Sequence, residues 1–290
     1  MSHVQLGAYQ LVKKLGQGGM AEVWEARAFG PSGFERRVAL KRLLPELRDN
    51  PELQKALVAE ARLGARLGHR NLIHVEDLGF VDGEYFLRLE LVDGVPLSAL
   101  GPLPPSLAAL VAEELAHALA HLHAVRDNSG RPLGLVHRDV SPANVLVSRD
   151  GEVKLCDYGV AKITSRVEVT RANIVKGKYA YMSPEQTRGE SLDARSDQFA
   201  LAVLLVELCA GTRPFSGATP HATMELIARA ESPQLTGLPP SLTSLVERCL
   251  AARAKDRFES TEALCLRLAE VRRELPLATS FELAERVRRV

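Results

Sequence analysis

The sequence predicts an α+β protein with a small, strand-rich N-terminal lobe and a larger, mostly helical C-terminal lobe. Three observations predict this class. Residues 9–92 contain short runs of alternating apolar and polar residues, the pattern of half-buried strands. Four prolines within residues 94–106 then interrupt regular structure. Beyond them apolar residues recur at helical spacing, and 290 residues suffice for two lobes with a sizeable core.

The small lobe is expected to span residues 9–92. Its strands are predicted at residues 9–16, 22–28, 36–43, 72–80 and 84–92. The last two strands turn at Asp82-Gly83, a dipeptide typical of tight hairpins. One helix is predicted over 51–68, because its apolar residues follow a helical period and Pro51 suits a first helical turn.

The larger lobe is expected to span residues 95–275. Its helices are predicted at residues 106–125, 193–211, 220–231, 241–253 and 260–273. Short strands or buried loops are expected at 133–137 and 144–155. Residues 159–182 show no clear period, which indicates a mobile or regulated loop. The tail 276–290 forms either one more helix or a linker.

The composition excludes several function classes. Lys and Arg number 37 against 36 Asp and Glu, which argues against a protein that mainly coats nucleic acid or an anionic membrane. The four cysteines form no C-x-x-C pair, so a reducing compartment is expected. The N-terminus has no signal-peptide core, and the most apolar run, 199–211, is too short to span a membrane. A cytoplasmic protein without a membrane anchor is therefore predicted.

The first motif with chemical meaning is 16-GQGGMAEV-23. Its glycines allow backbone amides to approach phosphate oxygens without obstruction by side chains. A single Gly-x-Gly is often a plain turn. Predicted strands lie on both sides of this one, as in a hairpin that covers phosphates, whereas a dinucleotide-binding loop would lead into a helix.

The second motif is 38-VALK-41, which ends in Lys41. Its apolar neighbours indicate that Lys41 points inward, where an ammonium group needs an anionic partner. Glu60 on the predicted helix is a candidate partner, and phosphate oxygens are another. Taken alone, the motif also fits a surface lysine at a strand end.

The third motif is 137-HRDVSPANVLV-147, followed by 155-LCDYG-159. Asp139 can accept a proton from an attacking hydroxyl group. Asn144 and Asp157 offer oxygen ligands to Mg²⁺, a hard cation. Each acidic residue alone could be an ordinary turn residue. All three motifs in this order indicate phosphoryl transfer.

These motifs resemble those of the eukaryotic-type (Hanks-type) protein Ser/Thr kinase catalytic domain, most like its bacterial members, from about Tyr9 to Leu275. The resemblance implies a bilobal kinase that transfers the γ-phosphate of ATP, with Mg²⁺ or Mn²⁺, to Ser or Thr hydroxyls of protein substrates in signal transduction. It makes Asp139 the catalytic base, Lys41 the phosphate-binding lysine, and Asn144 and Asp157 the metal ligands. It assigns ATP binding to Leu15, Gly16, Gln17, Gly18, Gly19, Met20, Ala21, Val23, Ala39, Lys41, Leu89, Glu90, Val92 and Leu146.

The same resemblance implies supporting roles. Glu60 would pair with Lys41, Asp197 would brace the catalytic loop, and Arg257 would pair with Glu185 of 183-SPE-185. Arg138 would bind a phosphate on the activation loop. The candidate phosphosites are Thr170, then Thr164 and Ser165.

One departure from the family pattern is chemically important. Ser/Thr kinases usually carry a lysine two residues after the catalytic Asp, and this chain has Ser141 there. Where the family usually has Gly-Thr in the activation segment, the chain has 177-GK-178. We hypothesise an exchange in which Lys178 reaches the γ-phosphate and Ser141 takes the place of the hydroxyl. The alternative is that Lys178 is a solvated loop charge.

Other functions remain open at this stage. Ser141, together with Gly64 in the predicted helix, could mark an inactive kinase-like scaffold that binds nucleotide. A small-molecule phosphotransferase shares the lysine, base and metal ligands, but not the 183-SPE-185, Asp197 and Arg257 set. A Tyr-specific kinase is disfavoured because 139-DVSPAN-144 lacks the arginine of that group. The protein substrate and the oligomeric state are not predicted.

Overall fold

A computed structural model describes residues 4–157, 177–230, 233 and 235–290. The chain divides into two compact units. The small unit holds residues 4–68 and 73–92. The large unit holds residues 69–72, 93–157 and the described residues from 177 onward.

The small unit contains an antiparallel sheet with the strand order β1-β2-β3-β4-β6-β5. Its strands are β1 Val4–Leu6, β2 Tyr9–Gln17, β3 Ala21–Phe29, β4 Glu35–Leu43, β5 Val75–Val81 and β6 Glu84–Leu89. Alternate residues on these strands face one side, where Leu11, Ala26, Leu40 and Phe86 form a buried cluster. The three-residue β1 is too short to leave a periodic signal in the sequence.

The small unit also contains helix α1, Pro51–Gly64. Asn50 caps its start, because the side chain accepts hydrogen bonds from the backbone amides of Glu52 and Leu53. The helix ends four residues before the predicted limit of 68. Glycine is a poor helix former, and the regular helix stops at Gly64.

The large unit is mainly helical, as predicted. Its helices are α2 Pro105–His123, α3 Pro184–Thr187, α4 Ala194–Ala210, α5 Pro220–Arg229, α6 Pro240–Cys249, α7 Thr261–Glu274 and α8 Ser280–Arg288. Helix α4 is buried along almost its whole length, so its sequence shows no division into an apolar and a polar face. The tail 276–290, which the sequence left open, contains α8.

A small antiparallel sheet in the large unit carries residues of the third motif. It consists of β7 Gly94–Pro96, β8 Val145–Ser148 and β9 Val153–Leu155. Strand β7 lies in the proline-rich segment that the sequence predicts to be irregular, at the edge of the sheet where proline is tolerated. A Cβ atom on Gly94 would lie 2.0 Å from the Val147 carbonyl oxygen, so only glycine fits this close pairing.

The predicted α+β class is confirmed: an antiparallel sheet with one main helix, followed by a larger helical unit. The segment predicted to be a regulated loop lies largely outside the described residues, which resume at Gly177. Among the described helices, none combines the length and apolar character needed to cross a membrane.

Candidate active site

Lys41 lies in β4 of the small unit, next to Val23 on one neighbouring strand and Leu87 on the other. Its Nζ is 2.7 Å from Glu60 Oε1 on α1, and the two side chains are 12% and 11% exposed. The contact predicted for Lys41 is therefore formed. Burial makes this pairing important, because an unpaired ammonium group in such surroundings is costly.

The glycine-rich segment connects β2 and β3. The Gly18 amide donates to the Ala21 carbonyl oxygen at 2.6 Å, which closes the turn. Val23 pairs with both Gly16 and Lys41 across the sheet, and Ala39 pairs with Leu89. Of the small-unit residues assigned to ATP, those on β2, β3, β4 and β6 thus lie on adjoining strands, Gly18, Gly19 and Met20 form the turn between β2 and β3, and Val92 follows β6.

Glu90 and Leu146 are also assigned to ATP, but neither lies on the strands of the small unit. The Glu90 amide donates to the His74 carbonyl oxygen at 3.0 Å, so any adenine contact from Glu90 would use its own carbonyl oxygen. Leu146 lies in β8 of the large unit and pairs with Pro96.

The backbone of the catalytic loop is held by Asp197, at the start of α4. Its Oδ1 accepts from the Arg138 amide at 2.9 Å, and its Oδ2 accepts from the His137 amide at 2.7 Å. Arg138 has φ of 67°, a left-handed conformation that costs about 1–3 kcal/mol in a non-glycine residue. The two hydrogen bonds stabilise this strained turn, as the bracing role predicted for Asp197 requires.

Asp197 is itself fully buried and charged. Burial acts to raise its pKa, but the hydrogen bond from His123 and the donors of the loop outweigh burial and hold the pKa below its usual value. His123 Nε2 lies 2.8 Å from Asp197 Oδ2, and His123 Nδ1 lies 2.9 Å from Thr261 Oγ1. Sequence reasoning missed His123, which carries no motif signal because it ends an ordinary helix.

The side chains of Asp139, Asn144 and Lys178 meet in one cluster within the large unit. Lys178 Nζ lies 2.7 Å from Asp139 Oδ2 and 2.9 Å from Asn144 Oδ1. Asn144 Nδ2 also donates to Asp139 Oδ2, at 2.8 Å. Lys178 is only 16% exposed, so the alternative of a solvated loop charge is wrong.

The other half of the hypothesised exchange concerns the hydroxyl group of Ser141. Its side chain is buried, and its Oγ has no hydrogen-bond partner among the described residues. The Lys178 ammonium group bonds to Asp139 and Asn144 instead. The lysine half of the exchange thus has a geometric basis, whereas no bond among the described residues supports the role hypothesised for the Ser141 hydroxyl, which stays a prediction.

Asn144 and Asp157 lie at adjoining ends of β8 and β9. The Cys156 amide donates to the Asn144 carbonyl oxygen at 2.8 Å, and Val145 pairs with Leu155. The backbones of the two residues that carry the amide oxygen and the carboxylate are therefore near each other, and Asp157 has φ of 60°. Such a pair fits Mg²⁺, which takes one or two protein oxygens and completes its shell with phosphate and water.

Glu185, in α3, forms a buried ion pair with Arg257. The Arg257 Nη1 and Nη2 atoms donate to the two carboxylate oxygens at 2.6 and 2.8 Å, and Ser196 Oγ donates to Oε1 at 2.6 Å. Burial acts to raise the pKa of Glu185, but these donors outweigh it and lower the pKa to about 2. The contact predicted from 183-SPE-185 is formed.

A further residue missed by the sequence reasoning connects this helix to the catalytic loop. Gln186 Nε2 donates to the Arg138 carbonyl oxygen at 3.1 Å. The Gln186 side chain also completes a capping box with Ser183, a signal that the S-x-x-Q spacing carries. The candidate phosphosites Thr164, Ser165 and Thr170 lie outside the described residues.

The chain matches the family model described as "Protein kinase domain" over residues 9–268. It is 39% identical over 271 residues to the tyrosine-protein kinase MasK of Myxococcus xanthus, a match covering 89% of this chain and 42% of MasK. It is 34% identical over 261 residues to the serine/threonine-protein kinase PrkC of Bacillus subtilis, covering 88% of this chain and 39% of PrkC. The chain thus spans about two fifths of the length of these curated relatives.

A comparison with solved structures also finds a protein kinase domain. The crystal structure of the Mycobacterium tuberculosis PknI kinase domain superposes with a TM-score of 0.66 at 28% sequence identity. The match covers 93% of this chain and 98% of that domain.

Proposed function

Because the chain belongs to the protein kinase domain family, we propose that it transfers the γ-phosphoryl group of Mg-ATP to Ser or Thr hydroxyls of protein substrates. The family membership confirms the resemblance seen in the sequence. The observation that carries the proposal is the Asp139–Asn144–Lys178 cluster, which puts a carboxylate, a side-chain amide group and an ammonium group within hydrogen-bond distance of one another.

In the proposed reaction Asp139 orients the acceptor hydroxyl and receives its proton as the oxygen attacks phosphorus. Phosphoryl transfer depends mainly on positioning and on charge neutralisation. The bond from Asn144 Nδ2 fixes the Asp139 carboxylate, and the braced turn at Arg138 fixes its backbone. Lys178 supplies the positive charge that Ser141 lacks.

In the proposed reaction ATP binds to the residues that the resemblance assigns to it. Lys41, kept in place by Glu60, neutralises phosphate oxygens. Asn144 and Asp157 would hold Mg²⁺, or Mn²⁺, and the bound metal would neutralise charge on the phosphates. Ala39 and Leu89, paired across β4 and β6, contribute apolar surface for the adenine.

Activation-loop phosphorylation is a further part of the proposal. The Arg138 Nε is buried and has no partner among the described residues. A phosphate on Thr170, or on Thr164 or Ser165, would supply an anion that arginine binds well. A cytoplasmic location and the protein substrates also remain predictions.

Tyrosine is the second candidate acceptor, because the relative MasK is described as a tyrosine-protein kinase. The loop 139-DVSPAN-144 lacks the arginine that Tyr kinases carry there, which supports Ser and Thr as acceptors. The two candidates predict different phosphorylated amino acids.

The test is mass analysis of the purified chain, and of a generic protein acceptor, after incubation with Mg²⁺ and ATP. We expect phosphate on Ser or Thr in the wild type and none in Asp139→Asn. Asp150→Asn is the matched control, because Asp150 is an exposed turn residue of the same unit. Phosphotyrosine alone would favour the second candidate. ATP binding without any transfer would favour a kinase-like scaffold.

A further inference from the structure

A cavity of about 230 Å³ lies in the large unit beside the catalytic cluster. Ser141 and Lys178 form part of its wall, and helix α4 and the segment after it contribute Glu207 and Arg213. Lys178 bonds to Asp139, so the cavity adjoins the carboxylate that would receive the acceptor hydroxyl. A peptide that places a hydroxyl at Asp139 would therefore run past this cavity.

Among the described residues that line the cavity, Glu207 is the one with a carboxylate, and both of its oxygens accept hydrogen bonds. Tyr181 Oη donates to Oε2, and Arg213 Nε donates to Oε1 at 3.3 Å. Burial and the bond to Glu207 raise the pKa of Tyr181, so the phenol remains a donor. Glu207 is thus neutralised from within the chain and is poorly suited to bind a basic side chain of a substrate.

Arg213, in contrast to Glu207, keeps hydrogen-bonding groups that no described residue uses. Its guanidinium group is held through Nε and lies over the Tyr181 ring, 5.6 Å from the ring centroid. Its Nη1 and Nη2 have no hydrogen-bond partner among the described residues, and the side chain is 36% exposed. Two neighbouring N–H donors of one guanidinium group match the two oxygens of a carboxylate.

We propose that this cavity binds an acidic side chain, Asp or Glu, of the substrate peptide close to the phosphorylated residue, and that Arg213 is the residue that recognises it. The argument rests on hydrogen-bonding capacity within this ion pair: Arg213 keeps two cationic guanidinium nitrogens that bond to no described residue, whereas both oxygens of Glu207 already accept hydrogen bonds. This proposal rests on the proposed kinase function and adds a substrate class to it.

The experiment uses peptides with one Ser acceptor and otherwise neutral residues. Glu, Gln or Lys is placed at one position at a time on either side of the Ser, and kcat/KM is measured for each peptide. At one or two positions we expect the wild type to prefer Glu over Gln by about tenfold, the size of a hydrogen-bonded charge contact. Lys at the same positions should be disfavoured.

Variants then assign the preference to Arg213. Arg213→Gln should bring the Glu/Gln ratio close to one, and Arg213→Glu should invert the preference in favour of Lys. Arg253→Gln is the matched control, because Arg253 is 70% exposed and pairs only with Asp256 among the described residues. It should keep the wild-type ratio.

The outcomes separate the two proposals. Transfer to peptides with no preference for Glu at any position overturns the acidic-substrate proposal and leaves the kinase function standing. A preference that survives in Arg213→Gln also overturns the assignment. Absence of transfer to every peptide and to the generic acceptor overturns both. The wild-type comparison of Glu, Gln and Lys peptides is decisive even if an Arg213 variant does not fold.

Discussion

Lys41 of the small unit and Lys178 of the large unit form ion pairs that look alike. Each Nζ lies 2.7 Å from a carboxylate oxygen, and the lysines are 12% and 16% exposed. Their backbones differ: Lys41 lies inside β4, between two neighbouring strands, whereas Lys178 follows Gly177, which has φ of 71°. One lysine is fixed by a sheet and the other by a turn.

The partners differ more than the geometry does. Glu60 only positions Lys41, and no transferred proton is assigned to it. Asp139 is the proposed base, so the ammonium group of Lys178 contacts the carboxylate that takes part in the chemistry. Lys178 also contacts Asn144 Oδ1, the oxygen proposed for the metal. In the proposed mechanism, the same pairing distance therefore serves a positioning role in one unit and a charge-neutralising role at the reacting groups in the other.

Removing Lys178 is the prediction with the largest effect. Lys178→Ala is expected to lower kcat by about 10²–10³-fold, the usual cost of losing one preorganised charge at a reacting centre. The measurement is single-turnover phosphoryl transfer at saturating ATP. Lys178→Met should lose as much, because it keeps the length of the side chain but not the charge.

A second substitution tests whether the position of the charge matters. Ser141→Lys in the Lys178→Ala background places the lysine where the family usually has it, and we expect part of the lost rate to return. Wild-type transfer by Lys178→Ala would refute the role of Lys178.

Removing Lys41 is expected to have the next largest effect. Lys41→Met should lower kcat/KM for ATP by roughly 10²-fold, because the phosphates lose one positive charge while Glu60 is left buried without its partner. The check is a steady-state ATP titration together with nucleotide binding. If Lys41→Met and the wild type gave the same ATP dependence, Lys41 would not neutralise the phosphates, and the proposed contrast between Lys41 and Lys178 would be wrong.

The partner of Lys41 should matter less than Lys41 itself. Glu60→Gln keeps a hydrogen-bond acceptor but no charge, so we expect about a tenfold fall in kcat/KM. Glu52→Gln is the control on the same helix, since Glu52 is exposed in the first turn of α1. A loss in Glu60→Gln as large as that of Lys41→Met would mean that Glu60 does more than position the lysine.

The sequence predicted most of the fold and one of these two ion pairs. For the Lys41–Glu60 contact, an inward-facing strand lysine and an acidic residue on the next helix make Glu60 a candidate partner, and the resemblance then assigns the pair. The Lys178–Asp139 contact joins residues 39 positions apart, and no period connects them. The resemblance predicts only that Lys178 reaches the γ-phosphate, as compensation for Ser141, and it does not predict this contact with Asp139.

Other features were beyond the reach of pattern reasoning for physical reasons. The hypothesised exchange places the Ser141 hydroxyl where the family has a threonine. The atoms that Lys178 contacts depend on the conformation of the turn at Gly177, and the amino-acid composition does not specify that conformation. His123 contacts Asp197 across 74 positions, and its place at the end of α2 looks like any helix terminus. The charge balance of Glu207 and Arg213 likewise depends on how Tyr181 packs against them.

The Glu185–Arg257 pair sharpens the comparison, because it is an ion pair without a proposed role in the chemistry. The pKa of Glu185 is lowered from 4.5 to about 2 in the folded chain, so the folded state binds its proton less readily than the unfolded state. Its contribution to the free energy of unfolding is therefore complete above pH 4.5 and is lost as the pH falls towards about 2. At neutral pH this titration has no effect, which makes it the smallest of the expected changes.

The measurement is chemical unfolding of the wild type and of the double variant Glu185→Leu/Arg257→Met between neutral pH and the acid range. Replacing both partners leaves no uncompensated buried charge, so the double variant is expected to fold. We expect its free energy of unfolding to fall less steeply with acid than that of the wild type. Equal slopes would show that Glu185 titrates alike in both states. The pair would then resemble a surface contact, despite its burial and its two hydrogen bonds to Arg257.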